Sequence, residues 1–365
     1  MQLRRPGSSV RPVRRLLALP VVACAFALTP IDASQGGRSR PLREVLRDLA
    51  RITDAEWAAI ERGEPVAKVL DGDSREVAVA GVVRIAASSE PLVARYRDIN
   101  HLKRSSVVLD VGRFSPTPVA SDLTRARFED HGLDLRNCRP SDCVVRLSET
   151  DIARFHREVE WTAPDWRDRS AAVWRDVLAG YAAAYGRAGR TALPVFVNKG
   201  EPLRVASELG LLLQQFGFVA AFSPDFLSYM RDFMPTGPSQ AEHTLYWSKE
   251  DFGVRPILRV SHQVIYRAPS IPPVTIVATN QVYADHYLDA ALTVTLAIHR
   301  ADDDRRQHFY LVSVSRARTR SLTGLLRSFV RSTVQNRSRD ALRKVLTSTK
   351  TFLEGSGPVT GDIYD

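Results

Sequence analysis

The sequence predicts an α+β chain: a curved antiparallel sheet packed on a long C-terminal amphipathic helix, with a large, mostly helical insertion. Three observations predict it. Apart from His262, apolar residues hold the even positions from Pro256 to Tyr266, and mostly again from Val274 to Ile298, the two-residue period of strands with one apolar face. Leu322, Leu325, Leu326, Phe329, Val330, Val334, Leu342, Val345, Leu346, Phe352 and Leu353 recur at three-to-four spacing, the period of a helix. Between an early strand–helix–strand stretch and this late meander, residues 115–240 read as loop and helix.

The chain opens on an address. Residues 1–15 hold five arginines and no acid, and residues 16–28 hold no charge. A basic start and a short apolar run make a secretory signal peptide, residues 1–33, with cleavage expected near Ala33. The run falls short of the roughly 20 residues a membrane span needs. Val21-Val22-Ala23-Cys24 leaves a second reading, a lipoprotein with Cys24 as its lipidated first residue. Either way the mature chain is expected to be exported, periplasmic or envelope-associated.

Hydrophobic content of 44% and charged content of 25% describe a globular mature chain. The net charge of +10 is unevenly spread. The signal carries about +4, and residues 316–350 carry ten basic residues against Asp340 alone. The remainder is slightly acidic, which disfavours a diffuse nucleic-acid coat and predicts no nucleic-acid partner. Cys138 and Cys143 flank Arg-Pro-Ser-Asp and are expected to close as a disulfide in an oxidising compartment.

The elements follow in order. Residues 34–65 are a linker and two short helices, the second opened by Thr53-Asp54 as a cap. Val66–Leu70 and Glu76–Ala86 are strands joined by an Asp71-Gly72-Asp73 turn. Ser88-Ser89-Glu90-Pro91 starts a helix with Leu92, Val93, Tyr96, Ile99 and Leu102 at helical spacing, and Val107–Phe114 returns as a strand. Within 115–240, Trp166, Trp174, Tyr181 and Tyr185 share one helical stripe, read as core. Residues 201–234 are apolar on more than one helical face and are expected to be buried. The next strands turn at Ala268–Pro273, and a hairpin centred near residue 271 sets His262 opposite Asn280. The parity kept from Val274 to Ile298 means one long curved strand or two strands in phase. Tyr283, Asp285, Tyr287 and Asp289 alternate on the other face, as wet surface or insertion contact. Phe309–Ser315 and the terminal helix close the fold, and residues 354–365 form a tail.

Val77–Ala86, Ser88-Ser89-Glu90-Pro91, Arg97-Asp98-Ile99-Asn100 and Val107–Phe114 resemble the first strand, first helix and second strand of the START-like, helix-grip superfamily. Residues 66–114 and 241–353 would form that domain, with 115–240 inserted. The resemblance implies an apolar cavity between sheet and terminal helix, in a superfamily of lipid binders with some enzymes.

Site residues follow from these readings. His262, Asn280, His286 and Tyr266, on the apolar sheet face, are the ligand-pocket candidates. His286 stands six residues from Asn280, about 20 Å along a straight strand, too far for a metal shared with His262. Arg327, Arg331, Arg339, Arg343 and Lys344 are candidates for touching an anionic membrane surface. The chain contains no Gly-x-Ser-x-Gly, Walker, Gly-x-Gly-x-x-Gly or His-Glu-x-x-His motif. No cofactor, metal or catalytic residue is predicted. The leading expectation is an envelope protein binding an apolar molecule or lipid. An envelope scaffold and an enzyme using His262 on an apolar substrate are the alternatives.

Overall fold

The computed structural model describes residues 41–102, 107–128, 135–233, 237–251, 255–270, 272–299, 307–320 and 327–355. Residues 1–40, with Cys24 and the expected signal segment, the side chain of Arg327, and the residues from 356 lie outside the described residues.

Helices α1 (Leu42–Ala50) and α2 (Asp54–Glu61) come first. Thr53 caps α2 reciprocally with Glu56, each side chain accepting from the other's backbone N–H. β1 (Val66–Val69) and β2 (Glu76–Ile85) form a hairpin, and α3 (Glu90–Arg97) with α4 (Ile99–Leu102) lead to β3 (Val108–Arg113). After residues 115–240, which hold the short hairpin β4 (Val195–Phe196) and β5 (Leu203–Arg204), come β6 (Glu242–Glu250), β7 (Ile257–Ala268), β8 (Val274–Ala284), β9 (Ala290–His299) and β10 (Phe309–Arg318). The last helix, running from Arg327 to Glu354, closes the chain.

The eight strands form one antiparallel sheet ordered β1-β2-β10-β9-β8-β7-β6-β3. Since β3 lies on the far edge from β1 and β2, α3 and α4 carry the chain across the sheet. The even-parity run from Val274 to Ile298 is two strands in phase, β8 and β9, paired Val274↔Ile298.

Residues 115–240 supply α5 (Glu149–Glu158), α6 (Trp166–Ala188), a short hairpin of β4 (Val195–Phe196) and β5 (Leu203–Arg204), α7 (Val205–Leu213) and α8 (Pro224–Met230). These pack on the even-parity face: Trp174, Leu209, Phe216 and Phe226 share one buried core with Val260, Val264, Ile276 and Val294. They belong to the same compact unit as the sheet, Ser39–Asp365. Cys138 and Cys143 form the expected disulfide, with Cα atoms 4.5 Å apart. Ser141, at φ 65°, turns the intervening loop.

The expectation that the apolar even-parity face meets the C-terminal helix is overturned. That helix, α9, packs on the opposite face over β1 and β2. There Leu342 and Leu346 rest on Gly81 so closely that a Cβ would stand 2.6 Å from Leu346 Cδ1. Alternation identifies an apolar face without naming its cover. The inserted helices bring the larger apolar surface, whereas only Leu346 and Thr349 are buried among the described side chains of α9.

Candidate functional site

The β7–β8 register sets His262 opposite Asn280, as the hairpin centre at residue 271 predicts. Tyr185, from α6, lies between them. Asn280 Nδ2 donates to Tyr185 Oη at 3.1 Å, and Tyr185 Oη lies 3.0 Å from His262 Nδ1. His262 Nε2 lies 3.1 Å from Nδ1 of His243 on β6, the two rings stacked with centroids 5.3 Å apart. An amide nitrogen only donates, so the Tyr185 hydroxyl directs its own hydrogen to His262 Nδ1. His262 then carries its proton on Nε2 and donates to His243. The chain of donors thus runs one way, from buried Asn280 to half-buried His243.

Burial pushes His262 down to about 3, with the neighbouring His243 adding to the effect. Burial also lowers His243 and raises the Tyr185 hydroxyl, the latter against the Asn280 amide. At neutral pH the whole chain is uncharged. A histidine held this low is a poor general base near pH 7, and what the arrangement does is fix α6 on the sheet. Asn280 Oδ1 and the Tyr229 hydroxyl are buried with no hydrogen-bond partner among the described residues. Tyr266 stands outside this chain, its ring stacked on Phe226 of α8 at 5.2 Å.

His286 does not lie on the sheet face. It sits in the β8–β9 turn, Nδ1 3.0 Å from Asp285 Oδ1. A bulge places Val260 opposite Tyr283 and Ser261 opposite Gln281, leaving Val282 as the extra residue. The bulge brings Tyr283 to the inserted segment, where its hydroxyl donates to the Arg146 carbonyl at 3.0 Å. Nearby, Arg146 pairs with Asp289 at 2.7 Å and reaches the Leu288 carbonyl. Arg75 bridges Asp289 at 2.9 Å and Glu208 at 2.8 Å, and Arg318 joins Glu208 to Asp73. Burial raises the Asp289 carboxyl despite Arg146 and Arg75. Tyr283, Asp285 and Asp289 are therefore insertion contacts.

The opposite, odd-parity face differs in chemistry. Thr279, Thr293, Ser313 and Ser315 are half-buried there, while Val294, Val312 and Val314 behind them are closed off. Thr293 bonds Ser315 at 3.0 Å, and Thr295 lies 3.2 Å from Ser313. Two helices flank this hydroxyl row. α9 lies toward β1 and β2, and α3 packs through Leu92 on Ala297 and Phe309 and through Val93 on Ile265 and Val277. Arg95 of α3 stands 4.9 Å over the Phe352 ring of α9. Val334, Ala341 and Val345 share the helical phase of Phe352, which puts them on the side of α9 that Arg95 reaches. Val334 is 37% exposed.

Two of the basic candidates on α9 are tied into the fold. Arg331 donates to the carbonyls of Glu76 and Gly72, and Arg343 to that of Pro65. Arg339 pairs with Asp340, and Lys344 is exposed. Among the described residues no helix is long and apolar enough to cross a membrane, and no cluster of His, Cys, Asp and Glu could hold a metal.

Sequence reasoning paired His262 with Asn280 but did not bring His243 or Tyr185 to them, nor Arg146 to Tyr283. Tyr185 was visible only as part of an aromatic stripe, and nothing local marks Arg146. Comparisons of this chain with protein-family models, curated proteins and solved structures find no match.

Proposed function

We propose that this chain is an exported helix-grip protein that binds an amphipathic, lipid-like molecule between the odd-parity sheet face and α9. Three features support the fold reading: α3 and α4 between β2 and β3, the order β2-β10-β9-β8-β7-β6-β3, and a terminal helix against the sheet. One observation carries the ligand reading. A half-buried hydroxyl row lies on the same sheet face as α9, whose Val334 is partly exposed. Such a pairing suits a molecule with an alkyl part against Val334 and Val345 and a polar part on Thr293, Ser313 and Ser315. The ligand is thus amphipathic rather than wholly apolar. It lies on the side of the sheet away from His262, Asn280 and Tyr266, whose part is structural. An anionic membrane is the natural donor surface, approached by the exposed Lys344 side of α9.

Native mass spectrometry of the mature protein, with extraction of co-purified molecules, tests the reading. A stoichiometric amphiphile lost in Ser315→Phe supports it. A clean apo mass, unchanged after incubation with envelope lipids, would remove it.

A further inference from the structure

We propose that a second site, the groove between residues 124–128 and the start of α6, binds a small multivalent phosphate-bearing anion. The groove encloses about 600 Å³ and is lined by Arg125, Arg127, Arg167 and Arg175 against Asp110 and Asp168. That volume suits a small ligand, for which pockets of about 300–1,000 Å³ are usual.

Many arginines elsewhere meet carboxylates, among them Arg75, Arg97, Arg146, Arg259, Arg267 and Arg316, and others such as Arg331 and Arg343 meet backbone carbonyls. In the groove Asp110 is taken by Arg125 at 2.7 Å, while Arg127, Arg167 and Arg175 have no carboxylate partner among the described residues. Two of these guanidiniums are held in place. Arg175 lies 5.6 Å from the Phe128 ring centroid with Nε donating to the Leu123 carbonyl at 3.2 Å, which leaves its Nη groups for a ligand. Arg167 stacks 4.4 Å over the Trp166 ring. Holding them in advance lowers the ordering cost of binding. Lys249 Nζ donates to the Arg127 carbonyl at 3.3 Å, fixing the backbone of that groove wall.

Three forked donors ask for an anion with several oxygens. A carboxylate satisfies one guanidinium, whereas a phosphate group offers three or more acceptors and up to two charges. Position separates this groove from the hydroxyl row, since Asp110 lies on β3 at the far sheet edge from α9.

Calorimetric titration of the full mature chain with pyrophosphate in low-salt buffer tests the proposal. One-to-one binding is expected, weakened at least tenfold in Arg167→Gln/Arg175→Gln and again in Arg127→Gln/Arg167→Gln, whose side chains are exposed. Arg337→Gln on α9, exposed and away from the groove, should leave it unchanged. Sedimentation with phosphatidate vesicles separates a lipid headgroup from a free phosphate compound; variant-sensitive binding to either probe supports the groove. Binding to neither probe, or equal binding by wild type and both groove variants, would overturn it. Lipid extraction from the hydroxyl row is an independent readout, so the two sites can fail separately.

Discussion

Acidification should unfold this protein through His262. Burial lowers its imidazole from 6.5 to about 3 in the folded chain, while the unfolded chain protonates near 6.5. Between these values the unfolded state binds the extra proton, so stability rises with pH and is lost as pH falls below 6.5. Each pH unit is worth about 1.4 kcal/mol, so pH 5 should cost about 2 kcal/mol relative to pH 7. His243, also lowered by burial, acts in the same direction. Asp289 acts oppositely: its raised carboxyl takes up a proton first in the folded chain, adding stability as pH falls. Glu208 and Asp73, lowered through Arg318 and Arg75 despite burial, lose their contribution only nearer their ordinary carboxylate range. Urea unfolding followed by tryptophan fluorescence at pH 7, 6 and 5 should show the loss in wild type. Replacing His262 with leucine removes one titrating group and leaves the carboxylates, so the variant should be less pH-dependent by about 2 kcal/mol over that range. Equal pH dependence in the two proteins would refute the assignment of a buried, neutral His262.

Three further outcomes are expected. Cys138→Ser should cost about 2 kcal/mol, the chain-entropy value of so short a loop, read as a lower urea midpoint. Arg146→Met leaves buried Asp289 still paired with Arg75 and should cost about 2–3 kcal/mol, short of the roughly 3–5 kcal/mol for a charge left with no partner, whereas the exposed Arg339→Met should change the midpoint little. Gly81→Val forces its side chain into Leu342 and Leu346 and should cost about 1–3 kcal/mol by lifting α9 off β2, visible as faster amide exchange along that helix.

Much of the architecture was legible because strand parity and turn placement are local signals. Ala268–Pro273 fixes the hairpin centre, and the centre alone pairs His262 with Asn280. The covering of each face was not legible, since Val294 or Val312 packs equally well under an inserted helix or a terminal one. The bulge at Val282 was hidden for the same reason: no residue there breaks the alternation, yet it turns Tyr283 toward Arg146. His243 and Tyr185 join His262 from β6 and α6, a meeting set by tertiary packing.

The contrast between the two sheet faces argues for a use of the hydroxyl row. An antiparallel sheet commonly leaves one face wet, and Ser and Thr suit such a face. A merely solvated face would need no cover. Here α3 and α9 pack on the face that carries the row. Leaving Val334 of α9 more than a third exposed on that face stabilises nothing by burial. A bound amphiphile would cover Val334 and meet the hydroxyls together, whereas closer approach of α9 would strand Ser313 and Ser315 against apolar side chains. On the proposed function, Ser313→Val/Ser315→Val should let α9 close, abolish amphiphile binding and raise stability.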